Sequence, residues 1–102
     1  MNVLLVCQAG MSTAIMCKKI QQAAEAQGQT LSIKAVGLEA TPKESIGKSI
    51  VLLAPQVKYA AQGLRKEVPE EIPIMIIQSQ DFGLMRGDEV YKKMCKVLGV
   101  NV

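Results

Sequence analysis

The chain of 102 residues contains no histidine. That absence excludes a phosphohistidine carrier, a cysteine–histidine catalytic pair and zinc sites with imidazole ligands. Tryptophan is also missing, and only three aromatic residues occur, Tyr59, Phe82 and Tyr91. A core must therefore be aliphatic. The aromatics needed to sandwich a flavin ring or to stack nucleic-acid bases are too few. No apolar run approaches the roughly 20 residues that a membrane-spanning helix needs, so no membrane insertion is expected. Three cysteines (Cys7, Cys17, Cys95) form no C-x-x-C pair, and an odd count fits a reducing compartment. The N-terminus enters an apolar pattern at once, with neither a charged leader nor a cleavage site, so no signal peptide is expected.

What is present fits one small domain over 1–102, long enough for a core and too short for two. The net charge of +3 is spread along the chain, which favours anionic partners without marking a nucleic-acid surface. Asn2–Val6 is a continuous apolar run of the kind buried on both faces of a parallel sheet. From Ala14 to about Gln27 the period becomes helical, with Met16, Ile20, Ala23 and Ala24 on one face, and Gly28 ends it. Leu31–Val36 alternates like an edge strand. Thr41-Pro42-Lys43-Glu44 reads as a short capped helix, with Thr41 as cap and Glu44 closing a capping box before Gly47. Ser49–Ala54 is a second buried strand, followed by a helix face of Val57, Ala60, Ala61 and Leu64. Pro73–Ile77 reads as a third buried strand, and Gln78–Gly87 as a loop. Asp88-Glu89 then caps and charges a last helix with Val90, Met94, Val97 and Leu98 inward, stopped by Gly99. The order βαβαβαβα predicts an open four-stranded parallel sheet of order 2-1-3-4 with helices on both faces, a flavodoxin-like or phosphatase-like topology.

Ligands of such sheets collect at the carboxyl ends of the strands, where Cys7–Thr13, Pro55-Gln56 and Gln78–Gly87 emerge. Cys7 leads a small-residue loop in which Gly10 can take positive φ and Ser12 or Thr13 can cap the next helix. Backbone N–H groups at that helix start would hold an oxyanion and lower the thiol pKa. A small buried cysteine at a strand end is the plainer reading of Cys7. A phosphatase loop has arginine after five intervening residues, to clamp phosphate bidentately. Here that position is Thr13, and the chain's two arginines, Arg65 and Arg86, lie elsewhere. Arsenate reduction needs a resolving thiol, whereas Cys17 and Cys95 read as core residues. A response-regulator receiver needs acids where Cys7 and Ala54-Pro55 stand. A thiolate in a phosphate cradle without a hydrolytic apparatus describes a phosphoryl carrier.

The run CQAGMSTA after VLLV, then LLAPQVKY, then a loop containing DFG, closely resembles the lactose/cellobiose (chitobiose)-type IIB component of the bacterial phosphoenolpyruvate-dependent sugar phosphotransferase system. The likeness extends over nearly the whole chain. It implies that Cys7 is phosphorylated by a phosphohistidine on the IIA component and passes the group to a sugar carried by the membrane IIC component. It implies a cytoplasmic monomer that meets the membrane through IIC, with no cofactor and no metal. Cellobiose, lactose and chitobiose-like β-disaccharides are the sugars it suggests. Gln8, Ala9, Gly10, Met11, Ser12 and Thr13 would form the phosphate-binding loop. Pro55, Gln56 and Tyr59 would border the site, with Asp81 and Phe82 on the facing loop. Helix-start capping and surface packing also account for Gln56 and Tyr59, and turn chemistry for Asp81, whose other reading is a proton donor. Lys18, Lys19 and Lys58 would form a positive rim or a solvated surface, and Met11 would contact a partner. A low-molecular-weight phosphatase or arsenate-reductase relative is the alternative, and a phosphate-sensing regulatory module a third.

Overall fold

The strand Asn2–Val6, β1, buries every residue after Asn2, because it lies inside the sheet with helices above and below. The computed structural model describes residues 1–8 and 11–100, and at positions 11 and 12 the backbone alone. β1 pairs in parallel with β2 (Ser32–Val36) on one side and β3 (Ile50–Leu53) on the other, with Val6 opposite Val36 and Leu53. β4 (Ile74–Ile76) pairs with β3, giving the order β2-β1-β3-β4. The helices are α1 (Met11–Ala26), α2 (Thr41–Glu44), α3 (Ala61–Glu67), α4 (Ser79–Gly83) and α5 (Gly87–Leu98), with a 3-10 helix over Pro55–Ala60 leading into α3. This is the flavodoxin-like arrangement that the buried runs imply. α1 connects β1 outward to β2, while α2 and α3 connect in the opposite direction. Right-handed crossovers therefore set α1 on one face and α2 with α3 on the other.

Leu4, Leu5, Val6 and all of Ile50–Leu53 are fully buried, the aliphatic core that the composition requires. Each such side chain contributes about 1.5–3 kcal/mol of transfer free energy. On the α1 face, Met16, Ile20 and Ala24 close this core, and α5 packs beside α1. The two helices meet so closely that a Cβ on Gly87 would lie 2.5 Å from the Lys19 carbonyl carbon. Only glycine allows α5 to begin there. Gly28, Gly47 and Gly99 take φ of 73°, 83° and 72°, at the three places where the sequence reads a helix stop.

Several sequence expectations shift. The first helix starts at Met11 rather than Ala14, so Met11–Thr13 belong to its first turn. Thr41 is not a cap: Ala40 holds that position, and Thr41 Oγ1 donates instead to the Gly37 carbonyl at 2.8 Å. Glu44 does not close a capping box either, because it pairs with Lys34 of β2 at 2.9 Å, which holds its carboxyl below the usual range. β4 is a half-exposed edge strand, not a buried one, since nothing pairs beyond it and Ile76 is 44% exposed. The expected loop 78–87 contains α4, anchored by buried Phe82. Asp88 and Glu89 lie inside the first turn of α5, with Arg86 at the cap position, so they charge that turn without capping it. Val97 is half exposed, and Tyr91 and Cys95 occupy the inward face with Val90 and Met94. Cys95 is core, whereas Cys17 is half-buried at its margin.

Candidate functional site at the carboxyl edge of the sheet

The residue after each strand stays tied to the neighbouring strand, so the three exits form one ledge. Cys7 N donates to the Val36 carbonyl at 3.0 Å, Ala54 N to Val6 at 2.9 Å, and Ile77 N to Leu53 at 2.8 Å. Cys7 therefore stands at the end of a central strand, with its side chain almost covered by the core. Ala9 and Gly10, and the side chains of Met11 and Ser12, lie outside the described residues, so the expected anion nest and the Met11 contact rest on the sequence. Gln8 is exposed, and its Nε2 donates to the Tyr59 hydroxyl at 3.1 Å. This joins the residue after Cys7 to the 3-10 helix after β3. Tyr59 is 69% exposed, Gln56 is exposed, and Pro55 is half-buried at the start of that helix.

Thr13 sits in the first turn of α1, the third residue of the helix. Its side chain is buried, and among the described residues its Oγ1 has no hydrogen-bond partner. It does not cap the helix through a described residue, contrary to one sequence reading. A buried hydroxyl without a partner is destabilising by about 1–3 kcal/mol unless a ligand or solvent satisfies it. A phosphoryl oxygen at the start of α1 is a suitable acceptor, and helix N–H groups there favour an anion.

Asp81 is buried in α4, and its carboxylate is paired. Lys93 Nζ lies 2.6 Å from Oδ2 and also donates to Gln78 Oε1 at 3.0 Å. Phe82 beside it is core. α4 carries the chain from β4, at the carboxyl edge of the sheet, to the start of α5 against Lys19 of α1. Asp81 and Phe82, expected on a loop facing the site, both lie in α4. Gln78 and Lys93 are missed, because a segment read as loop offers no helical register linking residues 12 apart.

Lys18, Lys19 and Lys58 are exposed. Burial, and behind it the neighbouring Cys7, push the Cys17 thiol up to about 11. Among the described residues no group of three or more Cys, Asp or Glu side chains is placed to hold a metal. No helix among them is long and apolar enough to cross a membrane.

An open four-stranded parallel sheet of order β2-β1-β3-β4, with a cysteine at the carboxyl end of a central strand and a helix following it, defines a small α/β protein of flavodoxin-like fold. The chain belongs to the lactose/cellobiose-specific IIB subunits of the phosphotransferase system, whose family model matches residues 2–93. It is 27% identical over 98 residues to the oligo-beta-mannoside-specific EIIB component of Bacillus subtilis, covering 95% of each chain. It is 34% identical over 92 residues to the galactose-specific EIIB component of Lactococcus lactis subsp. cremoris, covering 84% of this chain and 85% of that protein. The solution structure of the cellobiose-specific IIB component from Borrelia burgdorferi superposes with a TM-score of 0.78 at 33% identity, over 97% of this chain and 92% of that one. The lactose-specific IIB domain from Streptococcus pneumoniae, at 14% identity and TM-score 0.80 over 94% and 95% of the two chains, shares the fold. The chain is thus a sugar-specific phosphotransferase-system component of lactose/cellobiose type. Such components act as transferases in sugar uptake together with IIA and IIC partners.

Proposed function

We propose that Cys7 carries the phosphoryl group. Its thiolate sulfur attacks the phosphorus of a phosphohistidine on the IIA component, the P–N bond breaks, and the imidazole leaves with the bonding pair. A sugar hydroxyl held by the membrane IIC component then attacks the same phosphorus. The S–P bond breaks, Cys7 is restored as thiolate, and the hydroxyl proton goes to solvent or a nearby base. The whole chain, 1–102, acts as one monomeric cytoplasmic unit, a protein-Npi-phosphohistidine–sugar phosphotransferase, and meets the membrane only through IIC. The acceptor is a β-linked disaccharide of the cellobiose, lactose or chitobiose kind.

The observation that carries this reading is the buried Thr13 hydroxyl, without a partner among the described residues, in the first turn of the helix that follows Cys7. Gln8, Ala9, Gly10, Met11 and Ser12 complete the phosphate loop with it, and Pro55, Gln56, Tyr59, Asp81 and Phe82 border the site. Thr13 donates one hydrogen bond where a phosphatase would present a bidentate guanidinium, which favours holding over hydrolysis. Arg65 is engaged by the Val68 and Pro69 carbonyls, far along the chain from the loop.

The test is phosphorylation with phosphoenolpyruvate, the two general phosphotransfer proteins and a lactose/cellobiose-type IIA, followed by intact and peptide masses. One phosphoryl group on the Cys7 peptide, absent from Cys7→Ser, is the expected result. An unmodified chain beside a donor that phosphorylates a known IIB overturns the reading.

A further inference from the structure

Lys93 is the one charged partner of the Asp81 carboxylate among the described residues. Its Nζ approaches Oδ2 to 2.6 Å, and the Asp81 side chain is 5% exposed. The same ammonium accepts no bond of its own and donates to Gln78 Oε1 at 3.0 Å. Gln78 is the cap position of α4 and Asp81 lies within it, so one side chain from α5 grips both the entry and the middle of this short helix.

Apart from this grip, α4 is anchored by the buried Phe82. Its five residues carry no side-chain cap, and isolated helices below roughly 12–15 residues are marginal. Its course is nevertheless fixed at both ends, by Ile77 bonded to β3 and by Gly87 seated on the Lys19 backbone. It starts at the same carboxyl edge of the sheet from which Cys7 and Pro55 emerge. Buried ion pairs are weak sources of stability, since apolar residues of similar volume often replace them without loss. What the pair supplies here is a direction for α4.

We propose that Lys93 is a positioning residue for phosphoryl transfer. Through Asp81 and Gln78 it sets α4 as the wall of the thiol site against which donor and acceptor are aligned. The proposal rests on the carrier reading of Cys7. Displacing such a wall by about 1 Å is enough to slow transfer by up to ~100-fold.

The experiment compares wild type with Asp81→Leu/Lys93→Met, Lys93→Arg and Gln78→Ala. It measures the single-turnover rate of Cys7 phosphorylation at saturating phosphorylated IIA, the donor concentration for half-maximal rate, and amide exchange over 79–86. The apolar pair is expected to keep its melting temperature within about 5 °C, exchange faster over 79–86, and transfer about tenfold more slowly at saturation. Lys93→Arg restores most of the rate, because the arginine still spans Asp81 and Gln78. Gln78→Ala leaves the ion pair intact and loses about threefold, so it decides the matter should the double variant fail to fold. Wild-type rates in the apolar pair or in Gln78→Ala overturn the proposal, as does a slower rate with unchanged exchange over 79–86. Failure of wild type to accept a phosphoryl group from an active donor overturns the carrier reading itself.

Discussion

Gln8 Nε2 donates to the Tyr59 hydroxyl across 3.1 Å and so ties the residue after Cys7 to the segment after β3. Both side chains are exposed, so the bond adds little to stability. Its effect is on the direction in which the chain leaves β1. Tyr59→Phe should move the urea midpoint negligibly, with a stability change within about 0.5 kcal/mol. Phosphorylation of Cys7 should fall about 2- to 10-fold, the worth of one hydrogen bond. An unchanged transfer rate would reduce Tyr59 to surface packing.

Thr13→Val separates folding from phosphate holding. Removing a buried hydroxyl that has no partner among the described residues should leave stability equal or raise it by up to about 1 kcal/mol. The same variant should accumulate less phosphocysteine, because one oxyanion donor is gone. Calorimetry and a phosphorylation time course read the two effects. Loss of stability without loss of phosphorylation would place the hydroxyl in the fold rather than the site.

Gly87→Ala and Gly63→Ala should have opposite signs. At 87 the added methyl meets the Lys19 backbone at 2.5–2.7 Å, which cannot swing aside. A loss of about 1–3 kcal/mol in chemical denaturation is expected. At 63, inside α3, a Cβ meets nothing within 4 Å and alanine is the better helix former. A gain of about 0.4–1 kcal/mol is expected there. Equal effects would mean that α5 can slide along α1.

The Cys17 thiol, pushed from 9.0 to about 11, stays protonated in the fold where the unfolded chain has already ionised. Between pH 9 and 11 the folded state therefore binds more protons, and stability falls as pH rises through that window. Solvent reaches the half-buried group, so the loss is about 1 kcal/mol. Cys17→Ser should flatten the decline by that amount in denaturation curves at pH 8 and 10.5. Parallel declines would show that Cys17 ionises freely in the fold.

Tyr91 is the largest fully buried side chain, and its hydroxyl has no partner among the described residues. Burial pushes this phenol up to about 12. Tyr91→Phe should be neutral or stabilising in thermal denaturation. A clear drop in melting temperature would reveal a bond from the hydroxyl that the fold depends on.

The buried strands are readable because each is a local pattern. Asn2–Val6 and Ile50–Leu53 are uninterrupted apolar runs, and Cys7 stands where one of them ends. The misread features depend on distant partners. Glu44 leaves its capping box for Lys34 on another element, and Asp88 yields the cap position to Arg86 because the preceding turn brings α5 in two residues earlier. β4 loses its expected burial because no strand flanks it. α4 was invisible because five residues with one apolar anchor carry no period. The grip of Lys93 on that helix follows from two elements meeting in space, which spacing along the chain does not encode.

The strand that carries Cys7 at its end is synthesised before the other three, yet it needs the most of what comes later. β1 lies between β2 and β3, and its partner Ile50 is 47 residues ahead of Val3 in the chain. Parallel pairings of this separation close slowly, after large loops have been ordered. While β3 is still in the ribosome, β1 has one open edge and the thiol lacks the part of the core that follows residue 50. The cysteine is thus at its most vulnerable to oxidants during biosynthesis. A nascent chain stalled before residue 50 is the species in which Cys7 is most readily lost.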